Sequence, residues 1–220
     1  MDLNKYIDYT NLKATATLKD IEALCETAIN NGFASVCVLP YYVPLAKELL
    51  KNTNVLVSTV VGFPLGGNTT SVKSYEAIEA INNGADEIDF VINLAALKNK
   101  DYEYVKNEIE EIRDSIDGKT LKVIIETCYL EEDEIIKMTE ICNETFVNFI
   151  KTSTGFGTRG VSLEDIDLIN KHKNDILEVK ASGGIREFDF ALDLIDKGVT
   201  RLGISDITNI GGRKWNYMMN

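Results

Sequence analysis

The chain has 220 residues, of which 45% are hydrophobic and 26% are charged, so it can form one large domain or two small ones with a sizeable core. Its formal net charge of −12 argues against nucleic acid and anionic membrane surfaces as binding partners. The N-terminal stretch is too polar for a signal peptide, and the four cysteines form no C-x-x-C pair. With no long apolar span, this pattern predicts a cytoplasmic protein.

The chain has one histidine, His172, which lies in the polar segment "NKHKND". We expect it to be a solvated surface residue. A single histidine leaves no multi-histidine zinc site and argues against a Ser-His-Asp hydrolase, so no metal is expected.

Eight short β-branched and apolar runs follow one another along the chain, and amphipathic helical patterns such as "TLKDIEALCETAINNG" and "SLEDIDLINKHK" separate them. The runs lie near Tyr6–Thr10, Ala34–Leu39, Val55–Val61, Glu87–Asn93, Leu121–Glu126, Phe146–Thr152, Leu177–Ala181 and Arg201–Ser205. Apolar strands that alternate with helices predict a parallel sheet with helices outside. We therefore expect one (β/α)8 TIM barrel over residues 1–220, with a doubly wound open sheet as the alternative.

Charged and polar residues mark the ends of several predicted strands. Lys151 and Lys180 close the sixth and seventh runs, and Asp89 lies in the fourth. Asp8 and Thr10 end the first run, and Cys37 sits late in the second. Because the active site of such a barrel lies at the carboxyl ends of its strands, we expect these residues to converge on one mouth.

Two lysines and one carboxylate in a small space indicate a specific chemistry. Desolvation and a second ammonium group lower the pKa of a lysine, and the neutral amine can form a Schiff base with an aldehyde or ketone. Asp89 would then shuttle protons. The alternative is a structural Lys–Asp ion pair, but a pair leaves one buried cation unbalanced here.

The remaining strand-end residues have structural readings as well. Cys37 fits a small core residue, and Asp8 and Thr10 could bond within the turn after the first strand. The role of Lys13 stays equally open.

The segment "GFGTRG", residues 155–160, matches the G-x-G-x-x-G pattern of dinucleotide-binding folds. However, a capping box formed by Ser162 and Asp165 would start the next helix after all three glycines. Glu178 also begins a strand, whereas the ribose-binding acid should end one. The pattern is therefore rejected as a nucleotide site.

Six segments resemble the family of 2-deoxyribose-5-phosphate aldolases: "FIKTSTGF", "VKASGGIR", "ADEIDFVIN", "ASVCVLP", "TVVGFPLG" and "VIIET". The resemblance covers nearly the whole chain. It implies a TIM barrel that needs neither metal nor cofactor and acts as a class I aldolase in deoxyribonucleotide catabolism. The reaction would be the reversible cleavage of 2-deoxy-D-ribose 5-phosphate, the small phosphorylated sugar expected as partner, to D-glyceraldehyde 3-phosphate and acetaldehyde.

The resemblance also implies roles for individual residues. Lys151 would carry the Schiff base, Lys180 would lower its pKa, and Asp89 would shuttle protons with an ordered water. The implied substrate-binding residues are Asp8, Thr10, Cys37, Thr152, Gly183, Gly184, Gly203 and Ser205, of which the last four lie in the two phosphate-holding segments. Barrels of this kind often dimerise, so a homodimer is one assembly that this fold allows.

Three positions depart from the family's usual pattern: Tyr9, where many members carry histidine; Leu39, where many carry a polar residue; and Asp206, where a small polar residue is common. These departures concern substrate preference more than chemistry. Asp206 could cap a final helix in "SDITNIGGRKWNY" and point away from a phosphate.

Three other functions remain open. Another Schiff-base barrel, such as a transaldolase-like or keto-acid aldolase, would take a larger donor. A sugar-phosphate-binding barrel without turnover would need damage among the three charged residues, and an oxidoreductase would need the glycine-rich loop.

Overall fold

Residues 3–210 of the chain are described by a computed structural model, in which eight parallel strands close into a barrel in sequence order. The strands are β1 (Ile7–Asn11), β2 (Ser35–Val38), β3 (Leu56–Val61), β4 (Glu87–Val91), β5 (Thr120–Ile124), β6 (Phe149–Lys151), β7 (Glu178–Ser182) and β8 (Arg201–Ile204). Because β1 pairs with both β2 and β8, the sheet has no open edge. The predicted (β/α)8 barrel is confirmed, and the alternative of an open doubly wound sheet is wrong.

Helices connect the strands on the outside of the barrel. They are α1 (Leu18–Asn31), α2 (Val43–Leu49), α3 (Thr70–Asn82), α4 (Leu94–Lys98), α5 (Tyr102–Ser115), α6 (Glu132–Glu144), α7 (Leu163–His172) and α8 (Phe188–Asp196). Local chemistry fixes their ends. For example, Thr17 and Asp20 form a capping box at the start of α1, and Gly32 ends this helix with a left-handed φ of 65°.

Six observed strands are shorter than their predicted runs, and β6 differs the most. The run from Phe146 begins before β6 because Phe146 is exposed and has a left-handed φ of 52°, which a strand does not accommodate. The run that ends at Asn93 continues past β4, where Asn93 instead caps α4 by accepting the N–H of Ala96. The strands that carry Asp89, Lys151 and Lys180 lie within their predicted runs or within one residue of them.

The predicted start of α7 is confirmed. Ser162 and Asp165 form the expected capping box, so Gly155, Gly157 and Gly160 all precede the helix. His172 is the last residue of α7 and is half-buried, because the helix end packs near α6, where Asn143 donates to the carbonyl of His172. His172 therefore lies at the surface with its side chain partly exposed.

The final helix expected after β8 does not begin within the described residues. Residues 205–210 form a bend and a turn, and the rest of the segment "SDITNIGGRKWNY" lies outside the described part of the chain. Among residues 3–210, no helix combines the length and the apolar character needed to span a bilayer.

Candidate active site

The strand register brings the three charged residues predicted for the site together. Lys151 on β6 lies directly beside Lys180 on β7, while Asp89 on β4 faces the same interior. The Nζ atoms of Lys151 and Lys180 each lie 2.7 Å from Oδ2 of Asp89. All three side chains are buried, so water does not screen their charges.

Four further buried or half-buried groups extend this cluster below the mouth: Asp8, Glu87, Lys122 and Arg201. Nζ of Lys122 lies 2.8 Å from Oδ1 of Asp89 and 2.5 Å from Oε2 of Glu87. Asp89 therefore receives hydrogen bonds on both of its oxygens: Oδ1 accepts from Lys122 and from the hydroxyl of Ser58, and Oδ2 accepts from the two site lysines.

Asp8 and Arg201 close the cluster on the other side. Nζ of Lys180 lies 2.5 Å from Oδ2 of Asp8, and Arg201 donates to Oδ1 of the same carboxylate at 2.6 Å. Arg201 also contacts Oε2 of Glu87 at 3.1 Å. Asp8 thus holds the side of Lys180 that faces away from Asp89.

The ionisable groups of this cluster do not balance when all are charged. Four cations (Lys122, Lys151, Lys180 and Arg201) share three carboxylates (Asp8, Glu87 and Asp89). If one of these four side chains lost its proton, the positive and negative charges would balance. Within the described residues, Lys151 contacts one carboxylate, whereas each of the other three cations contacts at least two.

The pKa shifts single out the same lysine. Burial lowers the pKa of Lys151, and the charge of Lys180 lowers it further against the opposing effect of Asp89. Burial would also lower the pKa of Lys180, but Asp8 and Asp89 outweigh it and raise that pKa. For Lys122, burial is likewise outweighed, by Asp89 and Glu87, and its pKa is raised. Lys151 is therefore the cation of the cluster that loses its proton most readily.

Sequence analysis missed Lys122, Glu87 and Arg201. The sequence does indicate that Lys122 is buried, because "LKVII" places this lysine inside an apolar run, as "NFIKT" does for Lys151. Glu87 and Arg201 stand at the first positions of β4 and β8, where a charged residue usually faces solvent. Neither residue carries a local signal that would indicate burial.

A pocket of about 160 Å³ reaches Lys151 from the mouth of the barrel. Its lining includes Thr10, Ser182, Gly183, Gly184, Gly203 and Ser205. Gly183 and Gly184 both have left-handed φ values, +80° and +75°. Among residues 3–210, the N–H groups of these two glycines donate to no backbone acceptor, so they are available to a ligand.

The glycine-rich loop has a packing role at this pocket. A Cβ atom on Gly160 would lie 2.0 Å from the carbonyl oxygen of Gly183, so only glycine fits there. The next residue, Val161, donates its N–H to that carbonyl at 3.2 Å. Close contact with the β7–α8 turn thus accounts for Gly160 without a nucleotide.

Several of the predicted binding residues make contacts within the protein itself. Oγ1 of Thr152 accepts the N–H of Ser182 at 3.2 Å, which ties β6 to β7. Cys37 is fully buried in a small apolar cluster with Leu12 and Val60, and burial raises the pKa of its thiol. Thr10 lines the pocket and also donates to the carbonyl of Asp8 at 3.0 Å, the local bond considered from sequence.

Asp206 also lines the pocket. Its side chain is exposed, and Oδ1 accepts the N–H of Thr208 at 2.9 Å. The expected bond to a backbone N–H therefore exists, but it closes a turn instead of capping a helix, and the residue remains at the pocket wall. The role of this carboxylate depends on what the pocket binds.

Within the described part of the chain, no group of three or more His, Cys, Asp or Glu side chains is arranged to hold a metal ion. The cations inside the cluster already occupy the carboxylates. The chemistry that the arrangement offers is a buried amine with a lowered pKa at the base of a pocket, next to a carboxylate.

Comparison with known proteins identifies close relatives over most of the chain. The model of the DeoC/LacD family aldolases matches residues 2–205. The deoxyribose-phosphate aldolase of Thermococcus kodakarensis is 51% identical over 208 residues, which cover 93% of both chains. The deoxyribose-phosphate aldolase of Clostridioides difficile is 50% identical and covers 94% of both.

Solved structures give the same result. An aldolase designated QR15 superposes with a TM-score of 0.94 at 43% identity and covers 100% of this chain and 98% of its own. The deoxyribose phosphate aldolase of Aeropyrum pernix, described as having a unique tetrameric structure, has a TM-score of 0.88 at 28% identity. That alignment covers 94% of this chain and 88% of the other.

Proposed function

The chain belongs to the DeoC/LacD family of aldolases, and we propose that it cleaves 2-deoxy-D-ribose 5-phosphate reversibly to D-glyceraldehyde 3-phosphate and acetaldehyde. The reaction passes through a Schiff base and serves deoxyribonucleotide catabolism. The observation that carries this proposal is the position of Lys151, the pocket-lining lysine with a lowered pKa in a cluster that has one cation too many.

Lys151 is the nucleophile in this proposal. Its neutral amine attacks the aldehyde carbon of the open-chain sugar, and loss of water gives an iminium ion. The proton of the C3 hydroxyl then leaves, the C2–C3 bond breaks, and its electron pair moves into the iminium to form an enamine. Release of the three-carbon aldehyde, protonation of the enamine at C2 and hydrolysis return acetaldehyde and the free amine.

Asp89 orients this amine and relays protons. Because Oδ2 lies 2.7 Å from Nζ of Lys151, the amine can donate one hydrogen to Asp89 and direct its lone pair toward the pocket. Burial would raise the pKa of Asp89, but Lys122, Lys151 and Lys180 outweigh it and hold the pKa well below the usual range. Asp89 therefore stays ionised, and we propose that it passes protons through an ordered water to the donor carbon.

The phosphate is proposed to bind at the outer end of the pocket. The N–H groups of Gly183 and Gly184, which donate to no backbone acceptor among the described residues, would hold the anion there, and Gly203 and Ser205 line the same pocket. Arg186, which follows the glycines, adds a positive charge to the same lining. Backbone N–H groups beside a cation suit a phosphate group.

Borohydride trapping tests the proposal. Incubation with acetaldehyde and borohydride should add one reduced two-carbon group to the peptide that contains Lys151, and the Lys151→Ala variant should not acquire it. The matched control is Lys171→Ala, which removes an exposed lysine on α7 and should leave the labelling unchanged. A label on Lys180 would exchange the roles of the two lysines, and no label in the wild-type protein would refute the Schiff base.

We also propose a homodimer. An exposed apolar row on α3, formed by Val72, Tyr75 and Ile78, supports a contact between copies. The Aeropyrum pernix relative is described as a tetramer, so a tetramer is the alternative assembly to be tested. Mass photometry would distinguish a dimer from a monomer or a tetramer, and Tyr75→Glu should weaken the contact.

We further propose a cytoplasmic location. Cys25, Cys37, Cys128 and Cys142 are all free thiols, as a reducing compartment requires. Fractionation of cells that produce the protein would test this.

A further inference from the structure

The pocket at Lys151 opens into a wider groove of about 810 Å³. Both spaces share Thr10, Arg186, Ser205 and Asp206 in their linings, so these residues stand where the pocket meets the groove. With its aldehyde at Lys151, a substrate that extends along the pocket would place its remote end at this junction.

The carboxylate of Asp206 shares the lining of the groove with two cations. Arg186 and Lys13 both line the groove beside Asp206. The hydrogen bond from Thr208 and the charges of Arg186 and Lys13 hold the pKa of Asp206 below its usual value. Asp206 is therefore ionised at neutral pH and competes with any bound anion for the same positive charges.

A phosphate group and a hydroxyl group at C5 of the sugar would interact differently with the residues at this junction. A phosphate dianion gains from Arg186 and from the glycine N–H groups, but Asp206 repels it. An uncharged C5 hydroxyl can donate a hydrogen bond to Asp206. A carboxylate at this position thus narrows the difference in binding between phosphorylated and unphosphorylated sugars.

We propose that Asp206 is a specificity-determining residue that extends the substrate range of this site to unphosphorylated 2-deoxy sugars. The proposal rests on the aldolase function proposed above. It makes Asp206 responsible for a weaker phosphate preference, not for the chemistry at Lys151, because both sugars break the same C2–C3 bond.

The test compares kcat/KM for 2-deoxyribose 5-phosphate with kcat/KM for 2-deoxyribose in one preparation. Asp206→Ser should raise the ratio of the first to the second by about threefold to tenfold, a modest change because solvent screens exposed charges. Most of the gain should appear as a lower KM for the phosphorylated sugar. Asp206→Asn, which keeps an oxygen for the Thr208 N–H, should raise the ratio as well.

Asp175→Ser is the matched control, because it removes an equally exposed carboxylate just before β7, at the opposite end of the barrel. An unchanged ratio in both Asp206 variants, or an equal rise in Asp175→Ser, would overturn the proposal while leaving the aldolase function intact. If the wild-type protein cleaves neither sugar, the proposed function fails and the inference fails with it.

Discussion

Lys151 and Lys180 donate to the same carboxylate oxygen, since each Nζ lies 2.7 Å from Oδ2 of Asp89. Two full ammonium groups on one oxygen repel each other at close range. Lys180 can remain charged because Asp8 holds its other side at 2.5 Å, whereas Lys151 has no second carboxylate among the described residues. Of the two lysines, Lys151, which lines the pocket, therefore loses its proton more readily.

Replacement of Lys180 by leucine should move the acidic limb of the pH–rate profile to higher pH. Without the neighbouring charge, the pKa of Lys151 rises, so a higher pH is needed to free its amine. Because burial, the larger cause of the lowered pKa, remains in the variant, we expect the limb to move only part of the way toward the pH at which a solvated lysine titrates. If the limb stays in place while activity falls at every pH, Lys180 acts by hydrogen bonding instead.

Lys122→Met should have a related effect from a more distant position. The variant leaves three cations with three carboxylates, so the cluster is balanced with Lys151 protonated. We expect strongly reduced activity at neutral pH that recovers as the pH is raised.

The control for this variant is Lys73→Met. Lys73 is equally buried but pairs with Glu108 at 2.8 Å on the helical layer, outside the cluster. Its loss should lower the free energy of unfolding and leave the pH–rate profile where it is. Equal profiles for both variants would refute the charge-balance argument.

The sequence predicted the barrel because each strand and helix carries its own local signal. Apolar runs mark the strands, and pairs such as Ser162 and Asp165 mark helix starts. It also identified Lys151, Lys180 and Asp89, since charged residues inside apolar runs are rare. Their convergence followed from the rule that strand ends of a parallel barrel meet.

Other features depend on register, which local patterns do not determine. Arg201 reaches Asp8 and Glu87 only because β8 pairs with β1 and the barrel closes. The resemblance implied that Thr152 binds substrate, but its hydroxyl accepts the N–H of Ser182 on β7. In each case, a contact between residues distant in sequence decides the side chain's surroundings.

Asp89→Asn should slow the exchange of acetaldehyde methyl protons with solvent by about 10²–10⁴-fold, the usual contribution of a positioned acid or base. NMR in deuterated water measures this exchange directly. Unlike a surface substitution, the variant also leaves buried lysines without a counter-charge, so its free energy of unfolding should fall by about 3–5 kcal/mol. Exchange at the wild-type rate in the folded variant would assign the proton shuttle to another group.

The buried carboxylates should make the free energy of unfolding depend on pH in the acidic range. A substitution of Asp8 measures the contribution of one of them. Burial would raise the pKa of Asp8, but Lys180, Arg201 and Lys122 outweigh it and hold the pKa below the usual range. A depressed folded-state pKa gives stability that is present above the unfolded pKa of about 3.9 and is lost as the pH falls toward the folded value. Below about pH 3.9, each such carboxylate contributes a slope of about 1.4 kcal/mol per pH unit.

Asp8→Asn removes one of these groups, so its free energy of unfolding should be lower than that of the wild type at neutral pH. On acidification through about pH 3.5 to 2.5, the wild-type value should fall more steeply, by about 1.4 kcal/mol per pH unit more than the variant's. The gap between the two proteins therefore narrows in acid. Urea unfolding at a series of pH values measures both slopes, and parallel slopes would show that Asp8 takes up its proton in the folded protein as readily as in the unfolded chain.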